Sequence, residues 1–144
     1  MSRRKSGLPR FLKGIGFKQV NERWSWGAVD HDRQLVVLFV WADQLLNHEG
    51  GRYVEIQNSP DKYREDSRLG RNEREEHIGF LRDGYAGYLV MQTAVDPKAS
   101  PRIRESYSDR LSTVGKVLEL DSGRRLIEIT GKVEAKELTP DKEG

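Results

Sequence analysis

The chain has 144 residues, no cysteine, and 25 basic against 23 acidic residues, for a net charge of +2. That length suits one domain able to bury its own core, and the lack of cysteine excludes a disulfide framework, a thiolate zinc site and a cysteine nucleophile. No apolar run approaches the ~20 residues of a membrane span, and the basic start Met1-Ser2-Arg3-Arg4-Lys5 is followed by no apolar signal segment, so a cytoplasmic protein that does not enter membranes is expected.

Charge is spread unevenly. Residues 1–20 carry Arg3, Arg4, Lys5, Arg10, Lys13 and Lys18 and no acid. A basic arm on a near-neutral body suits polyanion contact, because phosphate neutralisation depends on local charge; a solubilising tail would give the same pattern. The expected organisation is a basic flexible arm over 1–7, one globular domain over 8–135 and a flexible tail over 136–144.

In chain order, Pro9 suits an early helical position and Gly14 and Gly16 stop a helix, so a short helix is predicted near the start. Residues 23–41 read as a hairpin turning at Asp30-His31-Asp32-Arg33. Its second run, Leu35 to Trp41, is apolar throughout, as expected of a central strand buried on both faces. All three tryptophans fall in this hairpin. Trp24 and Trp26 are two apart and share a strand face. Register decides the place of Trp41. Pairing Asp30 with Leu35 puts all three indoles on one face, whereas pairing Val29 with Leu35 turns Trp41 away.

Asn47 to Gly51 reads as a turn, Arg52 to Gln57 as a half-exposed strand, and 58–70 as polar loop. Residues 71–81 give the best helix, with Arg74, His77, Ile78 and Leu81 on one face and Gly84 closing it. A buried strand over 87–94 and a short extended stretch over 103–107 follow. A last hairpin joins 115–120 to 125–133 through Asp121-Ser122-Gly123. The sum is an α+β fold: a curved, mostly antiparallel sheet or small barrel, with one main helix and a short N-terminal helix.

Catalytic patterns are weak. There is no glycine-rich phosphate loop and no nucleophile elbow. His31, His48 and His77 lack ligand spacing, and His77 reads as a packed, hydrogen-bonded histidine on the inner helix face. Asp121 with Glu134-Ala135-Lys136 matches the loose D…E-x-K pattern of metal-dependent nucleases. In the last hairpin, however, Asp121 and Glu134 would lie roughly 30 Å apart, too far to share a metal. No catalytic residue, metal or cofactor is assigned, and an enzyme is not the leading expectation.

What remains is a set of aromatic and basic residues: Trp24, Trp26, Trp41, Tyr53, Tyr88 and Tyr107 with Arg23, Arg33, Arg102 and Arg104. Stacking of a base on an aromatic face contributes ~1–3 kcal/mol while arginines engage phosphates. A base lifted from a duplex is held this way, with polar groups reading its edge. Ser25, Gln92 and Asp96 are the candidate readers. Trp41, among apolar neighbours, reads as core. Trp24 and Trp26, flanked by Arg23, Ser25 and Gly27, read as pocket residues, with Gly27 permitting close approach.

The succession Gly16-Phe17, Arg23-Trp24-Ser25-Trp26-Gly27-Ala28-Val29, Val40-Trp41, Arg74-Glu75-Glu76-His77-Ile78, Gly84-Tyr85-Ala86-Gly87-Tyr88 and Ala94-Val95-Asp96-Pro97 resembles an N-terminal domain of some bacterial HNH-type restriction endonucleases, over about residues 14–130. The resemblance implies a domain that reads DNA, often modified DNA, and by analogy a PUA-like fold with a pocket for a flipped base. The positions it carries over are Trp24, Ser25, Trp26, Trp41, Tyr88 and Asp96. The HNH nuclease motif itself is missing from this sequence. The expectation is therefore recognition without cleavage, by a stand-alone reader, a partner of a separately encoded nuclease, or a fragment of something longer. Trp24, Trp26 and Tyr107 would stack the base, Ser25 and Asp96 would contact its edge, and Arg23, Arg102 and Arg104 would hold phosphates. The alternative from another class is a protein-interaction module that docks a partner on the strand Arg52 to Gln57 or on the charged helix, with the tryptophans in its core.

Overall fold

The computed structural model describes residues 8–20, 25–57, 68–98 and 104–139. Helix α1 (Leu8–Gly14) leads into β1 (Gly27–Asp30) and β2 (Leu35–Trp41), then a 3-10 turn at Ala42–Gln44, β3 (Leu45–His48) and β4 (Gly51–Gln57). Helix α2 (Arg68–Arg82) follows, then β5 (Ala86–Ala94), β6 (Arg104–Tyr107), β7 (Arg110–Glu119), β8 (Arg125–Glu134) and a 3-10 turn at Ala135–Leu138. The fold is α+β. Its strands form one mixed sheet in the order β1-β2-β5-β7-β8-β4-β3, with β6 beside β5. The sheet is not closed into a barrel, so the barrel alternative falls away.

The sheet is mostly antiparallel, as expected, with one parallel pair at its centre. β2 pairs with β5 in parallel, from Leu35↔Ala86 to Trp41↔Gln92. A parallel pair needs a long crossover, and here β3, β4 and α2 supply it. The other pairings are antiparallel.

β2 is the central strand its apolar run implied. Val37 and Phe39 point into one cluster with Leu8, Leu12, Phe17, Val90 and Leu111. Val36, Leu38 and Val40 point into a second with Val54, Ile56, Ile78, Leu89 and Ile127. Period-2 alternation thus feeds two cores at once. Helix α1 covers the first and α2 covers the second through Ile78. The body continues past residue 135, since Leu138 is buried in the first cluster.

Two smaller differences concern β3 and β4. The turn expected from Asn47 to Gly51 is tighter, since Asn47 and His48 pair with Arg52 and Gly51 in the β3–β4 hairpin. β4, expected to be half exposed, buries Tyr53, Val54, Ile56 and Gln57. It also lies between β8 and β3, although β3 covers it only as far as Val54.

The sheet curls strongly. β2 and β4 stand four places apart in the strand order, yet they contact each other, and α2 packs against β1, β2 and β4. β1 stops pairing with β2 at Leu38, and β3 stops pairing with β4 at Val54. Beyond those points the ends of β2 and β4 each have one edge without a strand partner among the described residues. These two edges face one another across a seam, and α2 lies over it.

Candidate functional site

Unpaired backbone carbonyls at a seam need donors, and Arg74 supplies them. It sits on the α2 face expected to point inward and is 4% exposed. One Nη2 hydrogen bond reaches the Phe39 carbonyl of β2 at 2.9 Å and another the Trp26 carbonyl at 2.9 Å, while Nη1 donates to the Ile56 carbonyl of β4. The guanidinium lies 5.8 Å from the centroid of the Trp26 ring. Its Nε is buried with no hydrogen-bond partner among the described residues. No carboxylate there forms an ion pair with it either. Desolvation lowers its pKa to about 10, with the charges of Glu73 and Glu75 opposing the shift, so it stays cationic at neutral pH.

Trp26 is held from several sides. Its backbone N–H donates to Glu73 Oε1 at 3.2 Å, and its carbonyl accepts from Phe39 N at 2.9 Å. The indole lies against Gly70, where any Cβ would overlap the ring. Next to it Ser25 is buried, and its hydroxyl donates to Glu73 Oε2 at 3.0 Å. Burial pushes the Glu73 carboxyl up, against the pull of the Ser25 and Trp26 hydrogen bonds. Gly27 does permit a close approach, but by the chain itself: a Cβ there would strike the Val37 carbonyl and the His77 ring. His77 is packed as expected, though its Nδ1 has no hydrogen-bond partner among the described residues. Desolvation, reinforced by the charge of Arg74, lowers its pKa to about 4, so it is neutral at pH 7.

The seam opens into a cavity of about 470 Å³ lined by, among others, Trp26, Trp41, Gln57, Arg74, Gln92 and Arg104. That volume falls within the ~300–1,000 Å³ of small-ligand sites. The hairpin register that the sequence left open is Asp30↔Leu35. Trp41, expected in the core, is instead half-buried at the end of β2 and lines the cavity. Gln92 is its direct neighbour on β5, so indole and amide stand side by side on one face. Arg104 donates to Gln92 Oε1 at 3.1 Å. On the far wall Gln57 is fully engaged, by Arg71 and by Glu75 Oε2 at 2.9 Å.

The other expected residues divide plainly. Trp26, Ser25, Trp41 and Arg104 meet at the cavity. Arg23, Trp24 and Arg102 lie outside the described residues. Tyr107 is buried in the first core, with its ring 5.3 Å from that of Phe11. Tyr88 lines a separate cleft between the end of α2 and β7. Asp96 is exposed and accepts a hydrogen bond from Lys98 N at 3.0 Å, which makes it a turn residue. Arg33 anchors chain segments far from the cavity: it pairs with Asp30 and donates to the Leu138 and Ile15 carbonyls. Arg74 and Gln44 were not foreseen as cavity residues. For Arg74 a signal existed, since an arginine on the apolar face of a helix needs a buried partner.

Asp121 stands at the tip of the last hairpin and Glu134 at the far end of β8, where it pairs with Arg110. Among the described residues no group of three or more histidines or carboxylates could hold a metal ion. No helix there is long and apolar enough to cross a membrane. Compared with protein-family models, curated proteins and solved structures, the chain matches none of them.

Proposed function

We propose that this chain is a non-catalytic nucleic-acid-binding domain that holds one DNA base, modified or unmodified, in the seam cavity. On this reading the fold is PUA-like and the setting is restriction or defence, with any cutting left to a separately encoded nuclease. The observation that carries the reading is the composition of the cavity. Two tryptophans, a buried arginine with no ion pair among the described residues, a second arginine and a glutamine amide line one opening. Aromatic faces stack bases without regard to sequence, cations attract the phosphates that bring them, and amides read base edges.

Anisotropy titrations over modified and unmodified duplexes at several salt concentrations test the reading. Binding should weaken steeply with salt and should be stronger for a duplex whose base leaves the stack easily. Flat signals at low salt would contradict nucleic-acid binding. Salt-sensitive binding that ignored modification would remove only the modified-base part. A second reading, a protein-interaction module, draws support from Trp26, whose ring is packed on Gly70 as a core residue would be. A native complex with another protein, together with flat duplex titrations, would favour it.

A further inference from the structure

Resting on the base-binding reading, we infer that Arg10, Lys13 and Lys18, together with Arg104, form a phosphate track that leads a nucleic-acid strand to the cavity. Residues 8–20 leave the cavity and return to it: Leu8 and Pro9 line it at one end of the segment and Gln19 at the other. The segment is not a loose tail. Leu8, Leu12, Ile15 and Phe17 are buried in the first core, and Lys18 forms a backbone bridge with Val29 of β1. Between these anchors Arg10, Lys13 and Lys18 are exposed. Arg10 and Lys13 are three apart on α1 and so are neighbours on one helix face. Arg10 directly follows Pro9, and Lys18 directly precedes Gln19. Arg104 is also exposed and lines the cavity itself.

Charge says what partner fits. Residues 8–20 carry no acid, and none of these four cations has an ion pair among the described residues. By contrast Arg82, Arg110, Arg124 and Arg125, on α2 and the β7–β8 hairpin, each have a carboxylate partner. Cations held in place beside one cavity and left without acids suit a row of phosphates. The anchoring counts, because a side chain on an ordered backbone has less freedom to lose on binding than one on a disordered tail. Arg52, Lys116 and Lys132 are likewise exposed, with no ion pair among the described residues, but none lines the cavity or adjoins in sequence a residue that does.

The test uses the full chain and two duplexes, one fully paired and one with a central base opposite an abasic site. Fluorescence anisotropy reads affinity between about 50 and 200 mM salt. Each lost phosphate contact lowers the slope of log affinity against log salt by about one unit, so the triple variant Arg10→Gln, Lys13→Gln, Lys18→Gln should flatten it by about three. The affinity ratio between the two duplexes should stay within about twofold of the parent's, because phosphate contacts position a strand without specifying its bases. A second triple variant, Arg52→Gln, Lys116→Gln, Lys132→Gln, removes the same net charge and should leave the slope within about one unit of the parent's. All six positions are exposed, so the urea midpoints of both variants should stay near that of the parent. An unchanged slope in the first variant, or an equal fall in the second, would overturn the inference while leaving base binding standing. Vesicles of anionic lipid that bind the parent but not the first variant, with unchanged duplex slopes, would assign the track to a membrane surface and overturn it too. Absence of salt-sensitive binding to either duplex would overturn both.

Discussion

Two arginines anchor this fold by the same device, and they end in opposite states. Arg33, in the β1–β2 turn, donates to the carbonyls of Ile15 and Leu138 and lies 5.6 Å from the centroid of Phe17. Arg74, on α2, donates to the carbonyls of Trp26, Phe39 and Ile56 and lies 5.8 Å from the centroid of Trp26. Each gathers chain segments remote in sequence over an aromatic ring. Arg33 is neutralised by Asp30 at 2.5 Å. Arg74 has no ion pair among the described residues, an orphaned Nε, and a cavity beside it. A structural anchor closes its charge on the protein. Buried groups left incompletely satisfied beside a cavity mark the place where stability yields to binding.

That contrast can be broken in several ways. The largest expected effect is that of Arg74→Met, which leaves the Phe39 and Ile56 carbonyls at the seam without that donor, while the Trp26 carbonyl keeps the Phe39 N–H. At about 1–3 kcal/mol for each orphaned group, urea unfolding should show a loss of about 2 kcal/mol or more. A loss below about 1 kcal/mol would mean that water replaces the guanidinium and the seam needs no anchor.

Acid separates the two regions by pH. His77, beside the seam, is held neutral, with burial lowering its pKa to about 4 from the ordinary 6.5. Its folded pKa is depressed, so its contribution is present above 6.5 and is lost as pH falls towards 4. That is worth about 3 kcal/mol. Asp30, beside Arg33, is lowered from 3.8 by its hydrogen bonds to Arg33, which outweigh its burial. Its contribution starts to fall only near and below that value. Glu73 works against His77. Burial raises its pKa above 4.5, so its contribution is present below 4.5 and is lost as pH rises. The stability curve should therefore decline between pH 6.5 and about 4.5, and His77→Leu should flatten that decline. An unchanged slope in His77→Leu would assign the decline to another group.

Gly70→Ala tests how firmly Trp26 is packed. In an open helix this change stabilises by ~1 kcal/mol. Here the new methyl would overlap the Trp26 indole, and overpacking costs about 1–3 kcal/mol. The expected readouts are a lower urea midpoint and a red shift in tryptophan emission. Stabilisation without an emission change would show that the indole moves aside freely. Arg33→Met should have the smallest effect, about 1–2 kcal/mol, because its side chain is 29% exposed and water can replace part of what it gives. Duplex affinity in that variant should stay within about twofold of the parent, whereas an effect as large as that of Arg74→Met would erase the contrast.

Much of this frame is legible in the sequence because its signals are local. The apolar run Leu35 to Trp41 showed a strand buried on both faces, the spacing of Arg74, His77 and Ile78 showed the inner face of α2, and Asp121-Ser122-Gly123 marked the last turn. What stayed hidden is long-range. Nothing near β2 states that its next partner is β5 in parallel, fifty residues on. The hairpin register hung on one position, and only packing on both faces of β2 selects Asp30↔Leu35. Trp41 reads as core because its neighbours in sequence are apolar, whereas its neighbours in space include Gln92. The targets of Arg74 are backbone carbonyls, which leave no trace in residue identity. Tyr107 is expected at the site on residue type, and Tyr88 and Asp96 on the resemblance as well, but the fold buries Tyr107 in the first core with Tyr88 packed against it and leaves Asp96 in an exposed turn.

The central claim is that the seam cavity, with Trp41 on its wall, is the ligand site. The most direct measurement is the affinity of Trp41→Ala for an abasic-containing duplex at low salt, with urea unfolding measured alongside. Trp41 is half-buried at a strand end, so the unfolding midpoint should move little. Loss of one stacking face should weaken binding at least tenfold. Parent-like affinity in the folded variant would contradict the claim.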